Sequence, residues 1–167
     1  MARAKYQFDD FLTTVPDNCK AFVTCVHEML LEEQYRPKIS VTKSTGFQLA
    51  YHQPQIKTTA GIILIFFKRE EELMIRIYGK NHAQYPGELD ALPQSLVRQI
   101  DKAADCVKFV NPDKCWKGCI GCEFHIKGKL YQKCLIDCFE FEVDRPDMPY
   151  LLRLIASESK ARVLRVS

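Results

Sequence analysis

The spacing of apolar residues changes twice along the chain, and each change predicts a change of structure. Phe8, Leu12 and Val15 fall at near-helical intervals until Pro16 interrupts them, which predicts a short helix or helical turn. From Cys19 to about Gln34, the residues Cys19, Phe22, Val23, Val26, Met29 and Leu30 recur every three or four positions, with Glu28, Glu32 and Glu33 opposite them. This is the pattern of an amphipathic helix, for which Asp17 or Asn18 is the expected cap. Cys19 and Cys25 read as small buried hydrophobes on or beside its inner face. After Pro37 the period shortens to two, and residues 38–44, 47–52, 60–69 and 72–79 predict four strands of an antiparallel meander. The third, AGIILIFFKR, lacks alternation, as a central strand covered on both faces does.

Residues 81–92 turn polar around Pro86 and Gly87, and Pro93 then opens a helix with Leu96, Val97, Ile100, Ala103 and Ala104 on one face. Val107–Val110 predicts a short strand, followed by a turn at Asn111, Pro112 and Asp113. Phe124 and Ile126 lead into a hairpin around Gly128, and Tyr131 to Val143 reads as one long returning strand. Pro149 heads a C-terminal helix carrying Leu151, Leu152, Leu154 and Ile155. With no repeat, low-complexity tract or linker, the expectation is a single α+β domain over residues 1–167. It should be a two-layer antiparallel sheet with helices packed largely on one side.

Composition narrows the function classes. A chain of 167 residues with 47% hydrophobic content buries a core without staples. Twenty-four basic against twenty-one acidic residues leave a net charge of only +3 with no block of one sign. Lys127, Lys129 and Lys133, and Lys160, Arg162 and Arg165, are short clusters of solvated type, so neither a nucleic acid nor a membrane is an expected partner. No apolar segment follows Arg3 and Lys5, and the longest apolar run, Ile62–Phe67, has six residues against the roughly 20 of a membrane span. A cytoplasmic location is therefore expected, where thiols stay reduced. Gly-rich phosphate loops, H-E-x-x-H and nucleophile elbows are absent. The sequence leans away from an enzyme, and its catalytic residues stay unassigned.

The chemically unusual passage is Cys115 to Cys138, which holds five of the eight cysteines. A two-residue hairpin turn at Gly128 and Lys129 sets Cys119 opposite Cys138; a three-residue turn centred on Gly128 sets Cys122 opposite Cys134. Either arrangement returns the second group of cysteines beside the first. Clustered thiols in a reducing compartment are more often metal ligands or redox groups than structural disulfides, and Cys115, Cys119, Cys134 and Cys138 form a candidate four-cysteine zinc site of C-x3-C…C-x3-C type, with reduced or adventitiously oxidised thiols as the equal alternative. Cys134 and Cys138 lie about 13 Å apart on an extended strand, so sharing one ion requires a bend or bulge. Cys119 and Cys122 form the one C-x2-C pair, but it leads into a strand rather than a helix, which disfavours redox catalysis. His125 is expected to face solvent, and Trp116 to shield a metal or close the loop over the core. The alternative is a thiol-dependent or small-ligand enzyme with a pocket near Tyr78 and His82, and Lys57 with Arg76 could hold an anion.

From Gly46 to Tyr150 the chain resembles small uncharacterised bacterial proteins common in Firmicutes, distantly like the YdhG/YjbR-like α+β group. The residues that carry the resemblance are Tyr51, Pro54 and Lys57; Arg76-Ile77-Tyr78-Gly79; Leu92-Pro93; Asn111-Pro112; Cys115, Cys119 and Gly121; and Gly128, Tyr131-Gln132-Lys133-Cys134 and Cys138-Phe139. The resemblance implies a compact helix-plus-sheet fold and no activity. Cys122 departs from it, since relatives carry an aromatic residue there. That favours Cys115, Cys119, Cys134 and Cys138 as the shared set.

Overall fold

The computed structural model describes residues 6–164; Arg165 and the first five residues, including Arg3 and Lys5, lie outside them. The fold is α+β. The chain forms two compact units, neither continuous in sequence: the first runs to Arg76 and takes in Glu142–Met148, and the second holds Ile77–Phe141 and the chain from Pro149 onward.

In the first unit, α1 (Phe8–Leu12) and α2 (Asp17–Glu32) precede β1 (Arg36–Thr42), β2 (Gly46–His52), β3 (Ile62–Arg69) and most of β4 (Glu72–Ile77). α2 buries Cys19, Phe22, Val23, Val26 and Leu30 in the expected stripe. Cys25 falls off the edge of that stripe and is exposed, contrary to expectation. Pro16, rather than Asp17 or Asn18, occupies the N-cap; Asp17 enters the first turn and pairs with Lys20 at 2.6 Å. The helix ends in a Schellman motif, with Tyr35 N donating to Leu30 O and Gln34 N to Leu31 O, both at 2.9 Å. Gln34 fills the left-handed position at φ 67°, and the chain turns there directly into β1.

β1 pairs antiparallel with β2, with Pro37 opposite Tyr51 and Ile39 opposite Leu49. β2 pairs antiparallel with β3, with Leu49 opposite Phe66 and Tyr51 opposite Leu64. Alternation therefore puts Pro37, Ile39, Leu49, Tyr51 and Phe66 on one face. Both helices cover that face: the Phe11 and Phe22 rings lie 6.4 and 6.2 Å from that of Phe66, and His27 Nδ1 hydrogen-bonds the Tyr51 hydroxyl at 2.8 Å. β3 is buried along both faces, as its unbroken apolar run predicts.

The second unit contains α3 (Pro86–Asp90), α4 (Gln94–Lys102), α5 (Val107–Val110), the strands β5 (Cys122–Ile126) and β6 (Lys129–Lys133), and most of β7 (Glu140–Glu142) and α6 (Met148–Leu164). The larger sheet has the order β1-β2-β3-β4-β7, and β5 with β6 forms a separate two-stranded sheet. Among the described residues no helix is long and apolar enough to cross a membrane.

Three expectations fail here. Val107–Val110 forms a helical turn, closed by Asn111 N on Val107 O at 2.7 Å, so β-branched composition loses to the turn at Asn111 and Pro112. The hairpin turn is Lys127-Gly128, both left-handed at φ 50° and 81°, which pairs Ile126 with Lys129 and Cys122 with Lys133 and displaces both expected registers. The long strand from Tyr131 to Val143 is broken by a helical turn, with Asp137 N and Cys138 N donating to Cys134 O at 3.1 and 3.0 Å. β6 and β7 consequently belong to different sheets.

Candidate functional site

The cysteine region is organised by a short antiparallel strip beside β6. Asp105 bridges Lys133, Cys106 N donates to Gln132 O at 3.0 Å, and Cys134 N donates to Ala104 O at 2.9 Å. Lys133 holds this strip to the end of α4: its buried ammonium donates to Asp101 O and Ala103 O at 3.0 and 2.9 Å and to Asp105 Oδ1 at 2.9 Å. Three donors meet three acceptors, two of them carbonyls that the helix terminus leaves open.

Between Cys106 and Gly121 the chain forms a closed surface loop whose ends touch. A Cβ on Gly121 (φ 70°) would stand 2.7 Å from the Phe109 ring and 3.1 Å from Cys106 Sγ, so both the backbone angle and the space require glycine. Within the loop Cys119 N donates to Trp116 O at 3.2 Å. The Trp116 ring sits by Gly118 and is 60% exposed, so it does not close over the core.

The loop sorts the cysteines into two groups. Cys115 and Cys119 lie close enough to interact, and Cys106 lies within electrostatic reach; burial, the contact with Cys119 and the charge of Cys106 push the Cys115 thiol up. Cys122 and Cys138 form the second contact, Sγ to Sγ at 3.1 Å, both almost wholly buried. The hydrogen bond that Cys138 donates to Cys122, burial and the charges of Cys122 and Cys134 push Cys138 well up. The sequence-derived set is thus divided: Cys115 is with Cys119, while Cys138 is engaged by Cys122, with half-buried Cys134 beside it. Among the described residues, no three His, Cys, Asp or Glu side chains stand grouped to hold an ion as placed. Cys106 was missed because it lies outside the dense passage and shares no motif spacing with it; only its pairing with Gln132 brings it to the site.

These environments set an order of reactivity, since the thiolate is the nucleophile. Exposed Cys25 should alkylate first, half-buried Cys115 and Cys134 more slowly, and Cys122 and Cys138 only on unfolding. Timed iodoacetamide labelling read by peptide mass spectrometry checks this; Cys122 labelling as fast as Cys25 would contradict the burial assigned to it.

The other sequence candidates have structural partners. His82 sits between the carbonyls of Gly79 and Glu123, each at 2.8 Å, and Tyr78 O accepts from Arg162 at 2.8 Å. Arg76 lies over the Phe67 ring at 5.6 Å, and His125 is exposed as expected.

A buried ionic network went unread. Glu158 Oε1 accepts from Asn81 Nδ2 and Arg162 Nε at 2.9 and 2.8 Å, and Oε2 accepts from Asn81 N and the Tyr85 hydroxyl at 3.1 and 2.6 Å. Burial and then the Glu158 charge push the Tyr85 hydroxyl far up. The available signal was the α6 stripe Leu151, Leu154, Ile155, which continues at helical spacing through Glu158 and Arg162. No protein-family model, curated protein or solved structure matches this chain.

Proposed function

We propose that the chain is a non-enzymatic cytoplasmic protein of the small bacterial YdhG/YjbR-like kind, with its 104–134 region fastened by a structural zinc ion on Cys106, Cys115, Cys119 and Cys134. The observation that carries this reading is the Cys115–Cys119 contact with Cys106 in reach, inside a loop whose ends are pinned. The bridge between Asp105 and Lys133 adds Cys134: residues diagonal across such a pair share a face about 7 Å apart. Cys106 thus takes the place that spacing gave to Cys138, which is spent on Cys122. Ligation requires the thiols to turn inward about their single side-chain torsion and to lose their protons, with Zn–S near 2.3 Å. A zinc ion there would tie the loop to the strip beside β6 and offset the mutual repulsion of the thiolates. Both ring nitrogens of His82 are engaged by the carbonyls of Gly79 and Glu123, which leaves the enzyme reading without a free imidazole there.

Metal analysis of protein purified without chelator should find about one zinc per chain. Cys106→Ser and Cys119→Ser should lose it, whereas Cys138→Ser should keep it. Less than about half an equivalent in the parent protein sinks the metal reading. Full retention in Cys106→Ser restores the spacing-derived set instead.

A further inference from the structure

The first unit carries an open groove of about 1070 Å³ along β1. β1 is an edge strand, paired on one side with β2 and with no strand on its other side among the described residues. Phe8, His27 and Leu31 form the helical wall. That wall is fixed: the Phe8 and His27 rings stack at 3.7 Å and 6°, and His27 is held by the buried Tyr51 hydroxyl. Leu31 and Val41 are 44% and 52% exposed, so apolar surface lines the groove under the strand.

The two faces of β1 differ in chemistry. Pro37, Ile39 and Val41 share the helix-covered face, and Arg36, Lys38, Ser40 and Thr42 the other. Arg36 and Lys38 are exposed and have no ion pair among the described residues. The positive charge of Lys38 reaches His52, whose imidazole is pushed down by burial first and by Lys38 second. Asp9 and Glu28 act on His27 in the helical wall, whereas the exposed charges on β1 itself, Arg36 and Lys38, are both positive.

We propose that this edge takes up an extended peptide that alternates apolar and acidic side chains, added as a sixth strand beside β1. Apolar residues of the peptide would enter the groove against Leu31, Ile39 and Val41, while its intervening carboxylates would meet Arg36 and Lys38. Main-chain hydrogen bonds to an open strand edge supply affinity, and alternate side-chain sites supply selectivity. Pro37 removes one donor and so shortens the ladder at that end. A second copy of the chain is the poorer occupant, because β1 pairing with itself brings Arg36 and Lys38 of two chains together.

The test uses a fluorescein-labelled octapeptide of alternating valine and glutamate, with its valine–lysine counterpart as control, read by anisotropy and by amide chemical shifts. The acidic peptide should bind and the basic one should not, with shifts centred on residues 31–41 and affinity falling with added salt. The double variant Arg36→Glu, Lys38→Glu should weaken the acidic peptide by about tenfold or more and invert the preference. Leu31→Asp should weaken it comparably. Melting temperature should hold in these variants, since all three side chains are exposed. Equal binding of the two peptides, no binding of the acidic one, or shifts away from β1 overturns the proposal. A dimer seen in sedimentation and abolished by Leu31→Asp would assign the groove to a second copy and overturn it equally.

Discussion

Glu158→Ala should cost about 3–5 kcal/mol of folding stability, since removing one partner of a buried ion pair strands the other. Glu158 is wholly inaccessible, and Arg162, on the next turn of α6, is 5% exposed. The four bonds that Glu158 accepts use about all the lone-pair directions a carboxylate has. Glutamine is therefore a poor rescue: its amide would point two hydrogens at groups that are themselves donors. Tyr85→Phe removes a single bond to a charged acceptor and should cost about 1.5–3 kcal/mol. Urea unfolding of the three variants checks the order, Ala and Gln together and Phe milder. Glu158→Gln within about 0.5 kcal/mol of the parent would show that the carboxylate is not the organising charge.

Lys133→Met is the second large effect, expected at about 2–3 kcal/mol because it takes the donor from two part-buried carbonyls at the end of α4. The contribution comes from the carbonyls rather than from the ion pair. Asp105 is 89% exposed on its side chain, and Asp105→Asn should change stability by no more than about 1 kcal/mol. Arginine does not substitute, since its planar fork does not match three acceptors converging on one nitrogen. Lys133 also aligns residues 104–106 with 132–134, so in the zinc reading Lys133→Met should release the ion as well as lower stability. Loss of stability with full zinc retention would separate the strip from the site.

How far the fold could be read depended on whether the determining interactions were local. The four strands of the meander and the stripe of α2 were legible, because burial on one side imposes a period that survives in the sequence. Val107–Val110 was not: four apolar residues fit a strand and a helical turn equally, and the turn that follows decided between them. The hairpin register was misplaced by the choice of turn. Lys127 adopts a left-handed conformation that its residue type does not advertise, and its N–H donates to Asp90 at 2.6 Å, a partner 37 positions away in sequence.

The cysteine region shows the same division. Density of thiols marked Cys115–Cys138 as the unusual passage, and the closeness of Cys115 and Cys119 follows from their spacing. That Cys138 faces Cys122 depends on a helical turn interrupting the long strand, and the position of Cys106 depends on its pairing with Gln132. The sequence by itself determined the class of fold, the amphipathic helices, the strands and the presence of a thiol-rich loop, because each leaves a periodic or compositional trace. Only the tertiary structure decided which thiols meet, why Lys133 and Glu158 are buried and which strand edge stays open. Those outcomes rest on pairings between distant residues, and among them only the burial of Glu158 left a local trace, in the apolar stripe of α6.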